Sequence, residues 1–302
     1  PDAYTSDEVS QALSLCVSCK ACRRESPTGV DMANMKIEVL AARAAKNGIS
    51  LRDRMVAYLP HYAPFAARVP WLPNLRDGLP GAAWLTQAAL GLAASRSLPK
   101  WSSEPYRFSS NGITPESADV LLFADTFNRY FEPENLRAAE TVLRRTGLAV
   151  APAASSKTAR PLCCGRTFLA AGLAEQAKAE MLRTVAAIRP ALERGAFVVG
   201  LEPSCVLTFR DEAPVLLGNE WSAELGERVL LLEEFIALKQ EAGEISLFSG
   251  VTAPYEEPEK AEVGEGLAVH DGLEIELHEG LAGEAVAVPE NAQQVSVGYE
   301  GP

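Results

Sequence analysis

Three cysteines recur at three-residue intervals in the stretch CVSCKACRRESP, at Cys16, Cys19 and Cys22. Three more stand at Cys163, Cys164 and Cys205. Six are too few for a disulfide scaffold in 302 residues. Two clusters read better as metal or redox chemistry in a reducing compartment. The C-x2-C-x2-C run brings three thiolates from one loop, which suits a cubane iron–sulfur cluster. In the bacterial form of this run a fourth cysteine precedes a proline and binds a second cluster. Here Ser26 precedes Pro27. Ser26 therefore takes the place of a ligand to a different cluster, and the local one needs its fourth ligand from elsewhere. Lys20, Arg23 and Arg24 would offset the charge of such a cluster. Zinc is the chemical rival, because it also takes thiolates tetrahedrally. It usually pairs two separated ligand units, and the nearest histidine is His61, followed by His270 and His278. A loop of free thiols is the third reading.

The second group lies in LCCGRTF and, downstream, LEPSC. Gly165 would let backbone approach a bound group, and the helix start after it favours negative charge. Metal ligation or redox chemistry by Cys163, Cys164 and Cys205 competes with plain core filling, since small buried cysteines often only occupy space.

The positioning elements fall into four segments. Residues 1–50 flank the first loop with helices: Ser6 and Asp31 are N-cap residues, and Gly48 ends the second helix. Residues 51–115 form a helical linker cut short by Pro60, Pro64, Pro70, Pro73, Pro80 and Pro99. Its Trp71, Trp84 and Trp101 either wrap onto another surface or, more simply, pack against their own domain. Residues 116–243 alternate strand and helix. ADVLLFAD, LAVAPA and AFVVGLEP read as strands, PENLRAAETVLRRTG as a helix closed by Gly147, and SAELGERVLLLEEFIALKQ as another helix. GRTFLAAGLAEQAKAEMLRTVAAI reads as one long helix interrupted near Pro190. The pattern predicts an α/β fold with a parallel sheet, and chemistry where strands end and helices begin. Residues 244–302 form an irregular tail in which GLEIELHEG and QQVSVGY are the only strand-like stretches.

The formal charge of −12 is uneven. Residues 251–302 hold 12 acids and one lysine, so the rest carries 28 acids against 27 bases. A neutral body argues against nucleic acid as a partner. Asp2, Asp7 and Glu8 sit where a signal peptide would be apolar. The most apolar stretch, residues 81–94, is too short to span a bilayer. A cytoplasmic setting, at most peripheral to the inner membrane, is expected. A first residue of Pro rather than Met reads as a piece of a larger whole.

Taken together, LCVSCKACRRESPTGVDMANMKIEVL, VLLFADTFNRYFEPENLRAA, RPLCCGRTFLAAG and GLEPSCVLTFRDE resemble the C-terminal iron–sulfur region of FAD-linked oxidases, the relatives of D-2-hydroxyglutarate, D-lactate and glycolate dehydrogenases. The resemblance implies a ferredoxin-like segment in which Cys16, Cys19 and Cys22 bind a [4Fe–4S] cluster, then a Cys-Cys-Gly domain in which Cys163, Cys164 and Cys205 are the corresponding ligands. It implies FAD on another domain or partner chain, and an acceptor that is a quinone or a soluble carrier. The chain would be the electron-transfer module of a D-2-hydroxy acid dehydrogenase, with no catalytic residue of its own. A cluster-free docking fragment or a zinc module is the alternative. The family's further cysteine on an earlier strand is absent from FADTFNRY, and Thr208 replaces the partner of Cys205.

Overall fold

A computed structural model describes residues 5–109, 112–155, 160–218 and 222–245. The strand-like stretches at 272–280 and 293–299 lie outside the described residues.

The helix caps read from sequence are in place. Ser6 accepts the Val9 amide at the start of α1 (Asp7–Ser14). Asp31 accepts the Asn34 amide at 3.0 Å ahead of α3 (Met32–Asn47), which Gly48 ends. Between them, α2 (Ala21–Glu25) follows the cysteine loop. The proline-rich linker is four short helices, α4 (Leu51–Ala57), α5 (Leu59–Ala66), α6 (Trp71–Gly78) and α7 (Ala82–Leu90). Pro60 sits in the first turn of α5 and Pro70 caps α6, positions where a missing N–H costs nothing. Trp101 packs as expected, its ring 4.7 Å from that of Phe131 and beside Tyr62 and Tyr130. Trp71 and Trp84 do not pack; they are 61% and 65% exposed.

The second half alternates strand and helix: β1 (Val120–Phe123), α8 (Thr126–Tyr130), α9 (Pro133–Arg145), β2 (Val150–Pro152), α10 (Arg166–Ala170), α11 (Ala174–Leu192), β3 (Phe197–Gly200) and α12 (Pro203–Leu207). A π-helical turn, Thr208–Glu212, leads into α13 (Ala213–Leu217), α14 (Ser222–Arg228), β4 (Val229–Leu231) and α15 (Leu232–Glu241). The strands form one parallel sheet in the order β2-β1-β3-β4. The pleat sends alternate side chains to opposite faces. Leu121, Phe123 and Val198 meet Met181, Val185 and Ile188 of α11 on one side. Val120, Leu122 and Val199 meet Leu136 and Leu143 of α9 and Phe235 of α15 on the other. Both faces are covered, which is why these strands read as unbroken apolar runs. Each such side chain removed from water contributes about 1.5–3 kcal/mol, so the sheet is the stable platform of the molecule.

Two elements depart from the sequence reading. The stretch SAELGERVLLLEEFIALKQ is not one helix, because the edge strand β4 interrupts it. The expected long helix is broken at Gly172, between α10 and α11, and then runs through Pro190 to Leu192. Gly172 has φ +74, and a Cβ there would lie 2.4 Å from the Leu40 carbonyl oxygen of α3. The break is therefore where the N-terminal helices dock. Phe168 and Leu169 of α10 complete that contact against Ala57 and Tyr58, and the Thr167 hydroxyl donates to the Ala57 carbonyl at 2.9 Å.

Glu180 of α11 ties the linker to the same helix. It pairs with Arg160, with Arg183 at 2.9 Å and with His61 of α5 at 3.2 Å. Burial alone would raise its pKa, but hydrogen bonds and charge from Arg160 and Arg183 outweigh burial and hold it below the ordinary carboxylate value. A carboxylate with a depressed folded pKa stabilises above its unfolded pKa, and that contribution disappears as pH falls through the folded value. Glu180→Gln is thus expected to lower the unfolding midpoint more near neutral pH than in strong acid, where the native side chain takes up its proton below its depressed folded pKa. Thermal melts at both pH values check this; equal losses would contradict it.

Candidate functional site

The chain leaves the sheet at the carboxyl ends of its strands. Asp125 follows β1, Cys205 follows β3, and Cys163 and Cys164 lie on the connection after β2. Strand order reverses between β1 and β3, the place where open parallel sheets form a crevice. Cys163, Cys164 and Cys205 are all buried there. The Cys164 thiol donates to Cys205 Sγ at 3.1 Å. The Gly165 amide donates to Cys163 Sγ at 3.3 Å. Thr184 clamps the Cys163 backbone from α11: its hydroxyl donates to the Cys163 carbonyl at 2.7 Å and accepts the Cys163 amide at 3.3 Å.

Gly165 has φ +87, but its open side faces no ligand. A Cβ there would meet the Ala177 carbonyl oxygen at 2.7 Å, so the glycine serves the packing of the loop on α11. The three thiols share a narrow cleft with Pro60, Asp125, Phe127 and Arg166, and its free volume is about 10 Å3, no more than one water needs.

Hydrogen bonding to Cys164, then burial, holds the Cys163 thiol well above its usual pKa. For Cys164, the bond to Cys163 favours the thiolate, but the contact with Cys205 and burial prevail, and its pKa is also well raised. For Cys205, the bond from Cys164 lowers the pKa, yet burial and the charge of Asp125 carry it above the usual value. Asp125 is raised chiefly by burial, partly offset by the amide and side chain of Asn128. All three sulfurs are therefore protonated at neutral pH, and none is poised as a nucleophile.

The N-terminal loop is different. Cys19 is exposed, and Cys16 and Cys22 are half-buried. Ser18 and Lys20, on either side of Cys19, have φ +58 and +62. Left-handed backbone at two non-glycine residues costs of order 1 kcal/mol or more each and collects at functional loops. The Ser18 amide donates to Cys16 Sγ at 3.4 Å, and Lys36 of α3 donates to the Cys16 carbonyl at 2.5 Å. Ser26 turns away into a local bond with Thr28, 2.9 Å between the hydroxyl oxygens.

The two cysteine groups are joined through the π-helical turn. Lys20, between Cys19 and Cys22, reaches Asp211 and Glu212 at 2.9 Å each, and Arg23 reaches Asp211 at 3.4 Å. Arg166, two residues after Cys164, reaches the same Glu212 oxygen, Oε1, at 2.8 Å. Lys20 and Arg23 thus spend their charge on this bridge rather than on the thiols. The other Glu212 oxygen is buried with no hydrogen-bond partner. π-turns often mark functional sites, and this one aims two adjacent carboxylates at the loop.

Among the described residues, no three Cys, His, Asp or Glu side chains stand together closely enough to hold a metal ion. The structure pairs Cys164 with Cys205 and does not gather Cys16, Cys19 and Cys22. The latter set still fits iron in donor chemistry: three thiols on an accessible loop, with an amide already directed at one sulfur. The buried set fits a dithiol better. Another cleft, about 420 Å3, opens between α1, α3 and α4, but its lining contains no cysteine. Sequence reasoning missed Asp125, Arg166, Asp211 and Glu212 as site residues. The only trace of Asp211 and Glu212 was the run of charge in TFRDE.

No protein-family model matches the chain, and no solved structure matches it. Among curated proteins, D-2-hydroxyglutarate dehydrogenase of Escherichia coli (strain K12) is 27% identical over 262 residues, 81% of this chain and 24% of that protein. The enzyme of the same name from Pseudomonas putida is 26% identical over 241 residues, 72% of this chain and 23% of that protein. One of the subunits of the anaerobic glycerol-3-phosphate dehydrogenase of Escherichia coli (strain K12) is 26% identical over 174 residues, 56% of this chain and 41% of that protein. The chain spans about a quarter of the length of the D-2-hydroxyglutarate dehydrogenases it matches. These homologues are consistent with the C-terminal region of FAD-linked oxidases.

Proposed function

We propose that this chain is the electron-transfer region of an FAD-linked D-2-hydroxy acid dehydrogenase, passing electrons from reduced flavin on another domain or partner chain to a quinone or soluble carrier. One observation carries the reading: Lys20, Glu212 and Arg166 form a continuous ion bridge between a thiol loop at the surface and a thiol group at the sheet's crevice. The names of the homologues, dehydrogenases of D-2-hydroxyglutarate and of glycerol-3-phosphate, support an oxidoreductase of this type.

Cys16, Cys19 and Cys22 would hold a [4Fe–4S] cluster, with the fourth ligand supplied from outside the described residues. Such a cluster accepts and releases one electron at a time. The chain's own residues do the rest. The Ser18 amide offsets charge on the Cys16 sulfur, an interaction that raises reduction potentials. Lys36 fixes the loop's entry through the Cys16 carbonyl. Lys20 holds the loop's middle against the α/β domain, which keeps the distance to the second thiol group constant.

Anaerobic reconstitution of the whole chain with iron and sulfide tests this. Bound iron and sulfide with broad visible absorbance are expected. Both should be lost on replacing Cys16, Cys19 or Cys22 by serine and unchanged in Ser26→Cys. Failure to retain iron would overturn the proposal, as would iron that survives removal of all three cysteines; zinc bound in its place would identify a zinc module.

A further inference from the structure

We infer that the helical hairpin of α6 and α7 is a membrane-surface element that lies in the headgroup region of an anionic bilayer. This goes beyond the electron-transfer reading and holds with or without a cluster on the N-terminal loop. In water a helical hairpin turns its apolar side chains inward and its charge outward. This one is reversed. Arg76 stands at its centre, 7% exposed. Its guanidinium donates to the Thr86 hydroxyl at 2.9 Å and to the carbonyls of Ala93 at 2.8 Å and Arg96 at 3.0 Å, and it pairs with Asp77. Asp77 in turn accepts the Leu98 amide at 2.9 Å. One ion pair thus sews α6, α7 and the segment after them into a unit. Asn74 fixes that unit to the body through two hydrogen bonds with the Trp101 backbone, each 2.9 Å. On the outside are Trp71, Leu72, Leu75, Leu79, Trp84 and Leu85, between 42% and 65% exposed. No residue of α7 is buried.

An exposed apolar patch with a polar rim marks an interaction surface, and the charges at the rim select the partner. Residues 78–95 carry no charged side chain. Cations stand around them: Arg68 just before Pro70, the N-cap of α6, and Arg96 and Lys100 after α7. All three are exposed, and among the described residues no carboxylate pairs with any of them. Residues 51–100 hold six bases and two acids, whereas the rest of residues 1–250 holds 21 bases and 26 acids. The positive charge is therefore concentrated at the apolar patch. Anionic lipid phosphates complement it, and each Lys or Arg near such a surface adds attraction. Tryptophan belongs at the same depth, its ring among the headgroups. The helices have eight and nine residues, and a span needs about 20. No described helix is long and apolar enough to cross a membrane. The hairpin thus lies in the plane of the interface, with its tryptophans and leucines at the acyl boundary.

Vesicle flotation of the whole chain tests this, with vesicles of phosphatidylcholine alone and of phosphatidylcholine mixed with phosphatidylglycerol. The chain is expected to float with the mixed vesicles, and less so as salt is raised. Trp71→Glu combined with Trp84→Glu should weaken partitioning by about tenfold or more. Arg68→Gln, Arg96→Gln and Lys100→Gln should each weaken it by roughly fivefold. These side chains are exposed, so the unfolding midpoint should not move. Lipids brominated on their acyl chains should quench tryptophan fluorescence in the bound chain. Trp71→Phe combined with Trp84→Phe should keep the binding and lose most of that quenching. If the glutamate variant melts early, the phenylalanine variant decides, and quenching unchanged in it would overturn the inference. So would failure to bind the mixed vesicles, equal binding to the neutral ones, or binding unaffected by the two glutamates in a folded chain. A dimer in lipid-free solution that the glutamates dissociate would assign the patch to a second copy instead and overturn it as well.

Discussion

Glu212→Ala is expected to destabilise the protein by about 2–3 kcal/mol and to free the cysteine loop. Removing one partner of a buried ion pair typically costs roughly 3–5 kcal/mol, because the other charge remains buried without compensation. Here the carboxylate is 4% exposed and serves two cations, Lys20 at 12% and Arg166 at 21%. Lys20 keeps Asp211 as a second partner and Arg166 is partly wet, so the expected cost falls at or somewhat below the lower end of that range. In a chain of this size each kcal/mol moves the unfolding midpoint by about 2–4 °C. Loosening of the loop should show as faster tryptic cleavage after Lys20 and Arg23 in the folded protein. Asp211→Asn removes a carboxylate that is 25% exposed and should cost much less. If Glu212→Ala left both the melting point and the cleavage rate unchanged, the bridge would have no energetic role, and the case for coupling the two thiol groups would fall with it.

Gly172→Ala should be at least as damaging, for a reason that has nothing to do with charge. The left-handed backbone costs an alanine about 1–2 kcal/mol. The new methyl would also lie 2.4 Å from the Leu40 oxygen, 2.5 Å from its carbonyl carbon and 2.9 Å from the Ala41 nitrogen. These are backbone atoms, so no rotamer change relieves the overlap; α3 must move away from the turn between α10 and α11. Overpacking of this kind adds about 1–3 kcal/mol, for a total near 3–4 kcal/mol. Gly147→Ala is the matched control. Its φ is +82, yet nothing lies within 4 Å of the added methyl, so only the backbone part of the cost applies. Denaturant titration of the two variants isolates the docking term by difference; equal losses would mean that the approach of α3 is not close.

The local features of this fold were legible because they are local. Ser6 and Asp31 announce their helices by side-chain chemistry that acts within three residues. β1 and β3 announce themselves as apolar runs because both of their faces are buried. β4 was hidden for the opposite reason: three apolar residues between two helical patterns satisfy either period. The helix break was misplaced because its cause is not in the neighbouring sequence. Pro190 fits inside the last turn of α11, whereas Gly172 is dictated by Leu40, far away in the chain. The site followed the same division. The cysteine spacing pointed to the loop, and the joins of strand and helix pointed to the crevice. The bridge between them spans 191 residues from Lys20 to Asp211, and no spacing rule reaches that far.

The brevity of the two outer strands limits how this molecule can be approached. β2 is three residues ending in Pro152, and β4 is three residues with a helix at each end. Neither offers a run of unpaired amides and carbonyls long enough to template an extended segment from another polypeptide. A flavoprotein or carrier that engages this region must therefore grip it through side chains on helices and loops, and its specificity will be written in charge and shape rather than in main-chain ladder bonds.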